Sequence, residues 1–280
     1  MEKAIKRYFP IFVLPTMIAF TLGFIIPFVE GVYLSFCKFT TVNDAKFIGF
    51  ANYAKVFADE TFVHAFWYTA AFTVVSVILI NVLAFAVALL LTKGFKGTNI
   101  FRTVFFMPNL IGGIVLGYIW QLLLNGILMN FSRTLTYSST YGFLGLIILM
   151  CWQQIGYMMI IYIAGIQNIP GELIEAAEID GATKWQILKK VTIPMVMPSI
   201  TVCTFLTLTN SFKLFDQNLA LTNGEPSKMS EMLALNIFYT FYGRTGYEGV
   251  GQAKAVIFFI LVTVIALTQN YLTRRKEVQQ

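Results

Sequence analysis

Apolar runs of about twenty residues or more alternate along the chain with short polar stretches. A helix crosses a bilayer's hydrocarbon core in roughly 20 residues, so each such run is a candidate span. The pattern predicts six, at about 11–36, 65–91, 101–124, 142–166, 196–221 and 250–272. The expected fold is all-α and polytopic. Pro15, Pro27, Pro108 and Pro198 fall within or at the ends of these runs. They predict kinks or helix starts, which neighbouring membrane helices accommodate by satisfying the freed carbonyls. The first run is too long for a signal-peptide core and lacks a small-x-small cleavage site, so it reads as a retained span. The chain divides into residues 1–64 (N-terminal tip, first span, external loop) and a core of five spans over 65–280, which carries a polar loop at 167–194.

Composition agrees with this pattern. With 57% hydrophobic residues and 27 phenylalanines, too little polar surface remains to coat a water-soluble globule of 280 residues. The formal charge of +6 does not mark a nucleic-acid partner, because the basic residues are dispersed between the spans. Twelve lie at the N-terminus (Lys3, Lys6, Arg7), around 92–102 (Lys93, Lys96, Arg102), at 167–194 (Lys184, Lys189, Lys190) and at the C-terminus (Arg274, Arg275, Lys276). The other three loops hold six: Lys38, Lys46, Lys55, Arg133, Lys228 and Arg244. By the positive-inside rule both termini and the 167–194 loop are expected to be cytoplasmic.

Little here supports enzyme chemistry. Three cysteines are too few for a disulfide framework, and Cys151 and Cys203 read as small hydrophobes inside spans. The single histidine, His64, cannot build a metal site with nearby Cys or His. The sequence contains no G-x-x-x-x-G-K-[ST] phosphate loop, so ATP hydrolysis by that route is excluded for this chain.

The 167–194 loop has its own order. Pro170 suits a first helical turn. Leu173, Ile174, Ala176 and Ala177 then put apolar atoms on one side, with Glu172, Glu175 and Glu178 on the other. Asp180-Gly181 predicts a stop, since glycine readily takes the left-handed conformation. Thr183 and Gln186 have capping-box spacing, and Trp185, Leu188 and Val191 form an apolar stripe before Pro194. Two short amphipathic helices around a glycine elbow are expected. Spacing alone leaves two uses open, an interfacial element on lipid headgroups or a docking element.

"EAAEIDGATKWQILKKVTIP" (175–194) resembles the EAA loop of permease subunits in bacterial ABC importers. Glu175, Ala176, Ala177, Gly181 and Pro194 match that pattern, with Val191 and Ile193 as conservative stand-ins. "FIGFANYAKVFAD" (47–59), "FRTVFFMPNL" (101–110) and "FDQNLALTNGEP" (215–226) are similar to segments of the maltose and glycerol-phosphate type, first-permease group. The last places Glu225 where a glycine is usual. The resemblance implies a type I importer permease in the bacterial inner membrane, whose loop is a coupling helix docked on a cytoplasmic ATPase. It gives Glu175 an arginine partner there and Gly181 the turn. It further implies a second homologous permease, two ATPase subunits that bind ATP and magnesium, an extracytoplasmic solute-binding protein and a sugar as solute. No cofactor is expected in this chain.

Polar residues inside spans are the remaining candidates. Met150, Gln154 and Tyr157 share one face of the fourth span, and Asn210, Ser211 and Leu214 form a patch in the fifth. Such amides serve either interhelical hydrogen bonding or a solute site. The resemblance, counted from the Glu-Ala-Ala motif, implies that these six line a sugar cavity. Lys213 and Asp216, at i and i+3, are expected to neutralise one another. The rival readings are an ion-gradient-driven transporter, which calls for inverted repeats and titratable midplane residues, a permease for a non-sugar or phosphorylated solute, and a membrane scaffold.

Overall fold

The computed structural model describes residues 2–94 and 96–275. The side chains of Lys3, Lys6 and Arg7, and Lys276 altogether, lie outside the described set. The chain is helical nearly throughout. Helices α1 (Glu2–Phe20) and α2 (Ile26–Leu34) are joined without interruption by a π-helical turn, Thr21–Ile25. There the Ile26 amide reaches back five residues to the Thr21 carbonyl, just ahead of Pro27, which has no amide to donate. A two-residue hairpin of β1 (Cys37–Lys38) and β2 (Lys46–Phe47) and helix α3 (Ala51–Phe57) follow, and then α4 (Glu60–Leu91).

Further on lie α5 (Thr98–Phe106), α6 (Gly113–Met129), α7 (Ser139–Gln167), α8 (Gly171–Ile179), α9 (Lys184–Ile187), α10 (Ile193–Met195) and α11 (Met197–Phe212). The last three are α12 (Asp216–Leu221), α13 (Leu233–Tyr242) and α14 (Glu248–Arg274). Among the described residues, four helical stretches are singly long and apolar enough to cross a membrane: Ile11–Leu34, Glu60–Leu91, Ser139–Gln167 and Glu248–Arg274. The count reaches six when each of two bent pairs is taken as one span.

Those pairs correct two expectations. The run at 101–124 is not one straight span: Thr98–Leu110 and Gly113–Met129 meet at 103°. Pro108 and the Gly112-Gly113 pair explain the break, since proline withholds a helical donor and glycine costs helix stability. The run at 196–221 likewise bends by 69° at Val196, before α11, and is then interrupted after Phe212. Its last third is the separate helix α12.

The described residues pack as two units, one comprising those up to Glu60 with Ile237–Ile260, the other those within Thr61–Asn236 and from Leu261 to Arg275. In the first, Lys254 on α14 is fully buried, bonded to Asp59 Oδ2 at 2.7 Å and to Thr240 Oγ1 at 2.8 Å. Asn52 donates to the carbonyls of Ser35 (2.9 Å) and Cys37 (2.8 Å), closing the hairpin onto α3. In the second, Phe72, Leu149, Met150, Met158 and Tyr162 form the core. The Tyr162 hydroxyl donates to Asn81 Oδ1 at 2.7 Å and Asn81 Nδ2 to Thr207 Oγ1 at 3.3 Å, which ties α4, α7 and α11 together with satisfied polar groups.

Candidate functional site

The elbow forms as its residues dictate. Pro170 stands one position before the first helical residue, as the N-cap of α8. At the other end Ala182 N donates to Ala177 O and Gly181 N to Glu178 O, each at 3.0 Å, with Gly181 at φ +77°. This is a Schellman closure, which requires a left-handed residue in the glycine's place. Thr183 then caps α9: its Oγ1 accepts from Gln186 N (3.4 Å) while Gln186 Oε1 accepts from Thr183 N (2.7 Å).

No residue of α8 is buried. Ile174 and Ala177 turn inward, whereas Glu175 and Ala176 are exposed, and Ile179 is 86% exposed. The expected stripe of the second helix is shifted. Trp185 is 69% exposed, and Ile187 takes the buried position ahead of Leu188 and Val191. A π-helical turn at Leu188–Thr192 changes the repeat and accounts for the shift. Pro194 lies in the short turn α10 just before the bend at Val196. A groove of about 300 Å³ runs between Ala177, Gly181 and Ala182 on one wall and Ile187, Lys190 and Val191 on the other.

Of the candidates inside spans, Gln154 and Asn210 meet directly. Gln154 lies almost midway along α7 and accepts from Asn210 Nδ2 of α11 at 3.4 Å. Asn210 and Tyr157 are half-buried, and Tyr157 packs on Phe106 with ring centroids 6.4 Å apart. Met150 and Leu214 belong to the apolar core, Gln154 is 8% exposed, and Ser211 is fully buried with no hydrogen-bond partner for its hydroxyl among the described residues.

The neighbouring Gln153, not singled out from sequence, is the junction of both broken spans. Its Nε2 donates to the Ile111 carbonyl in the break of the third span (3.4 Å), and its Oε1 accepts from Gln217 Nε2 on the first turn of α12 (2.8 Å). Unwound backbone at membrane depth is tolerated where protein groups satisfy it, and Gln153 is such a group. The sequence also carries Gly113 and Gly117 four residues apart, a small-xxx-small face, with Gln121 one turn beyond. A Cβ on Gly113 would lie 2.7 Å from Asp216 Cβ and one on Gly117 2.5 Å from Ala220 Cβ, so α12 lies directly on that face. One turn further on, Gln121 donates to the last carbonyl of α12, Leu221 O, at 3.1 Å.

Lys213 and Asp216 do not pair; among the described residues neither carries an ion pair. The i, i+3 rule presumes a continuous helix, and Leu214 and Phe215 between them are not helical. Each instead sits at a helix end of opposite polarity, Lys213 closing α11 and Asp216 opening α12. Glu225, in place of a usual glycine, bonds the Ser227 amide through Oε2 at 3.0 Å and stabilises its own turn. His64 bonds the Met229 carbonyl at 3.0 Å.

Comparison with known proteins agrees with this arrangement. Residues 80–278 match the family described as binding-protein-dependent transport system inner membrane component. The chain is 42% identical to the probable starch degradation products transport system permease protein AmyD of Thermoanaerobacterium thermosulfurigenes, over 96% of this chain and 94% of that protein. It is 28% identical to the multiple sugar-binding transport system permease protein MsmF of Streptococcus mutans, over 99% of both. It superposes with a TM-score of 0.82 on a chain of a bacterial ABC transporter involved in the import of the acidic polysaccharide alginate, at 23% identity and 98% coverage of each, a likeness of fold. The chain belongs to the family of binding-protein-dependent transport system inner membrane components, transport subunits and not enzymes.

Proposed function

We propose that this chain is one of two permease subunits of an ATP-driven importer carrying a neutral di- or oligosaccharide, or a glycoside, into the cytoplasm. Its companions in that reading are a second homologous permease, two ATPase subunits holding ATP and magnesium, and an extracytoplasmic solute-binding protein. Relatives named for starch degradation products, multiple sugars and trehalose/maltose support the solute class. Amide and phenol groups at Gln154, Asn210 and Tyr157 suit it too, because they exchange hydrogen bonds with hydroxyls and carry no charge.

The observation that carries the coupling role is the elbow. Glu175, Ala176, Ile179 and Trp185 are exposed on a short, doubly capped element joined to α11 through one bend. Burial of those apolar side chains calls for a partner surface. With the elbow on the ATPases, nucleotide binding and hydrolysis bias a two-state permease between outward and inward openings. This reading puts both termini and the elbow in the cytoplasm. A cysteine at position 184 then resists an impermeant thiol reagent in intact cells and one at position 46 reacts, both in a Cys37→Ser background. The decisive test is purification of the complex and measurement of ATPase activity against maltose, maltotriose and trehalose in the presence of the solute-binding protein. Stimulation by one of them is expected, and stimulation by a sugar phosphate or an amino acid alone overturns the solute class.

A further inference from the structure

Lys213 is a cation without a partner among the described residues, placed where a cation is costly. It follows Asn210 by three residues, and Asn210 bonds Gln154 near the midpoint of the 29-residue helix α7. Gln217, on the first turn of the helix that begins just beyond Lys213, bonds Gln153 at that same level. Lys213 thus lies close to the middle of the membrane-crossing part of its unit. Its side chain is nevertheless exposed, and its ammonium has no hydrogen bond or ion pair among the described residues. A lysine ammonium facing lipid at that depth costs about 3 kcal/mol or more, whereas one facing a water-filled path does not incur that cost. The stem is also too far from either end of α7 to reach the headgroups.

We propose that Lys213 lines the solute path and determines specificity there. Its ammonium donates hydrogen bonds to solute hydroxyl or carboxylate oxygens and repels cationic solutes, so neutral and acidic sugars pass and amino sugars do not. The setting fits this role. The first turn of α12 is fixed from behind by Gln153 and by the Gly113–Gly117 face, leaving the break between α11 and α12 as a rigid mount for one charge. Asp216 is fixed against Gly113 at the other side of that break and is not within ion-pair distance. The proposal rests on the reading of the chain as a solute permease.

The test uses the complete transporter reconstituted in liposomes, with Cys37, Cys151 and Cys203 replaced by serine. Lys213→Cys is expected to react with a membrane-impermeant sulfonatoethyl thiosulfonate in at least one of the nucleotide-free and ATP-vanadate states. Val202→Cys, exposed on the same helix α11, serves as the comparison and is expected to stay unreactive. Lys213→Met should raise the KM for maltotriose uptake about tenfold, the loss of one charge-assisted hydrogen bond. Lys213→Glu should admit a glucosamine disaccharide that the parent excludes. A Lys213→Cys variant as unreactive as Val202→Cys in both states overturns the proposal, as does unchanged selectivity in both charge variants. If the parent transports no sugar while the thiol of Lys213→Cys is labelled, the sugar assignment fails and the placement of Lys213 in the path stands.

Discussion

Gln217 donates its side-chain amide to Gln153 Oε1 across 2.8 Å, fastening the first turn of α12 to the midpoint of α7. Gln153 in turn donates to the Ile111 carbonyl, so one side chain stabilises the interruptions of both broken spans. Gln217→Leu leaves the buried Gln153 carbonyl unsatisfied, at about 1–3 kcal/mol, and Gln153→Leu leaves the half-buried Gln217 amide and Ile111 carbonyl without their partner. Replacing both is expected to cost less than the two single changes added together. Thermal unfolding of the purified permease across the double-mutant cycle checks the coupling, and strict additivity contradicts it.

At Gly156, α7 packs directly on the backbone of α5. A Cβ there would stand 1.8 Å from the Phe105 carbonyl oxygen and 2.8 Å from Phe106 N, both backbone atoms of α5 and unable to swing aside. Gly156→Ala should therefore abolish the folded permease, read as loss of the monodisperse peak on size-exclusion chromatography. Gly126→Ala, where nothing lies within 4 Å, should be neutral or slightly stabilising on its helix.

Gly181→Ala keeps the backbone donor to Glu178 but forces an L-residue to φ +77°, costing about 1–2 kcal/mol in the elbow. Gly181→Pro removes the donor and forbids that φ altogether. The expected order of ATPase-coupled transport is parent, then Ala, then Pro, with membrane insertion retained in all three. Glu175→Ala, at an exposed position without a partner among the described residues, should weaken ATPase co-purification and leave insertion intact. Normal transport in Gly181→Pro and Glu175→Ala together means that the elbow only rests on headgroups.

Lys254 and Asp59 offer a stability prediction in the first unit. Breaking a buried pair from one side costs about 3 kcal/mol or more, because the remaining charge loses its partner. Asp59 retains 20% of its exposure and Lys254 none, so Asp59→Asn, which takes the carboxylate away from a wholly buried ammonium, should destabilise more than Lys254→Met. Limited proteolysis within residues 37–60 reads the loosening, and the reverse order contradicts the assignment of the buried charge.

Local rules carried much of this structure and failed where distant residues decided. The left-handed Gly181 and the Thr183–Gln186 box follow from neighbours within a few positions, and the apolar runs at 65–91 and 142–166 lie within the helices Glu60–Leu91 and Ser139–Gln167. The breaks after Leu110 and Phe212 carry only local marks, Pro108 and the Gly112-Gly113 pair at the first and Lys213 with Asp216-Gln217-Asn218 at the second, of kinds that an unbroken membrane helix also accommodates. Assuming a continuous helix there also produced the mistaken Lys213–Asp216 pair. Helix α13, ten residues long, is too short to register as a span, and its neighbourhood is organised by Asn218, whose partners Ser230 and Met232 lie across a loop. Gln153 and Gln154 read alike in sequence, and only packing shows that one joins the two breaks while the other meets Asn210.

The proposed function of this chain is to move a sugar inward under the drive of ATP. Uptake of radiolabelled maltotriose into liposomes containing the whole complex, with the binding protein outside and ATP inside, tests it most directly. Accumulation is expected to require internal ATP and to be unchanged when proton and sodium gradients are collapsed. Accumulation that follows an ion gradient without ATP contradicts it.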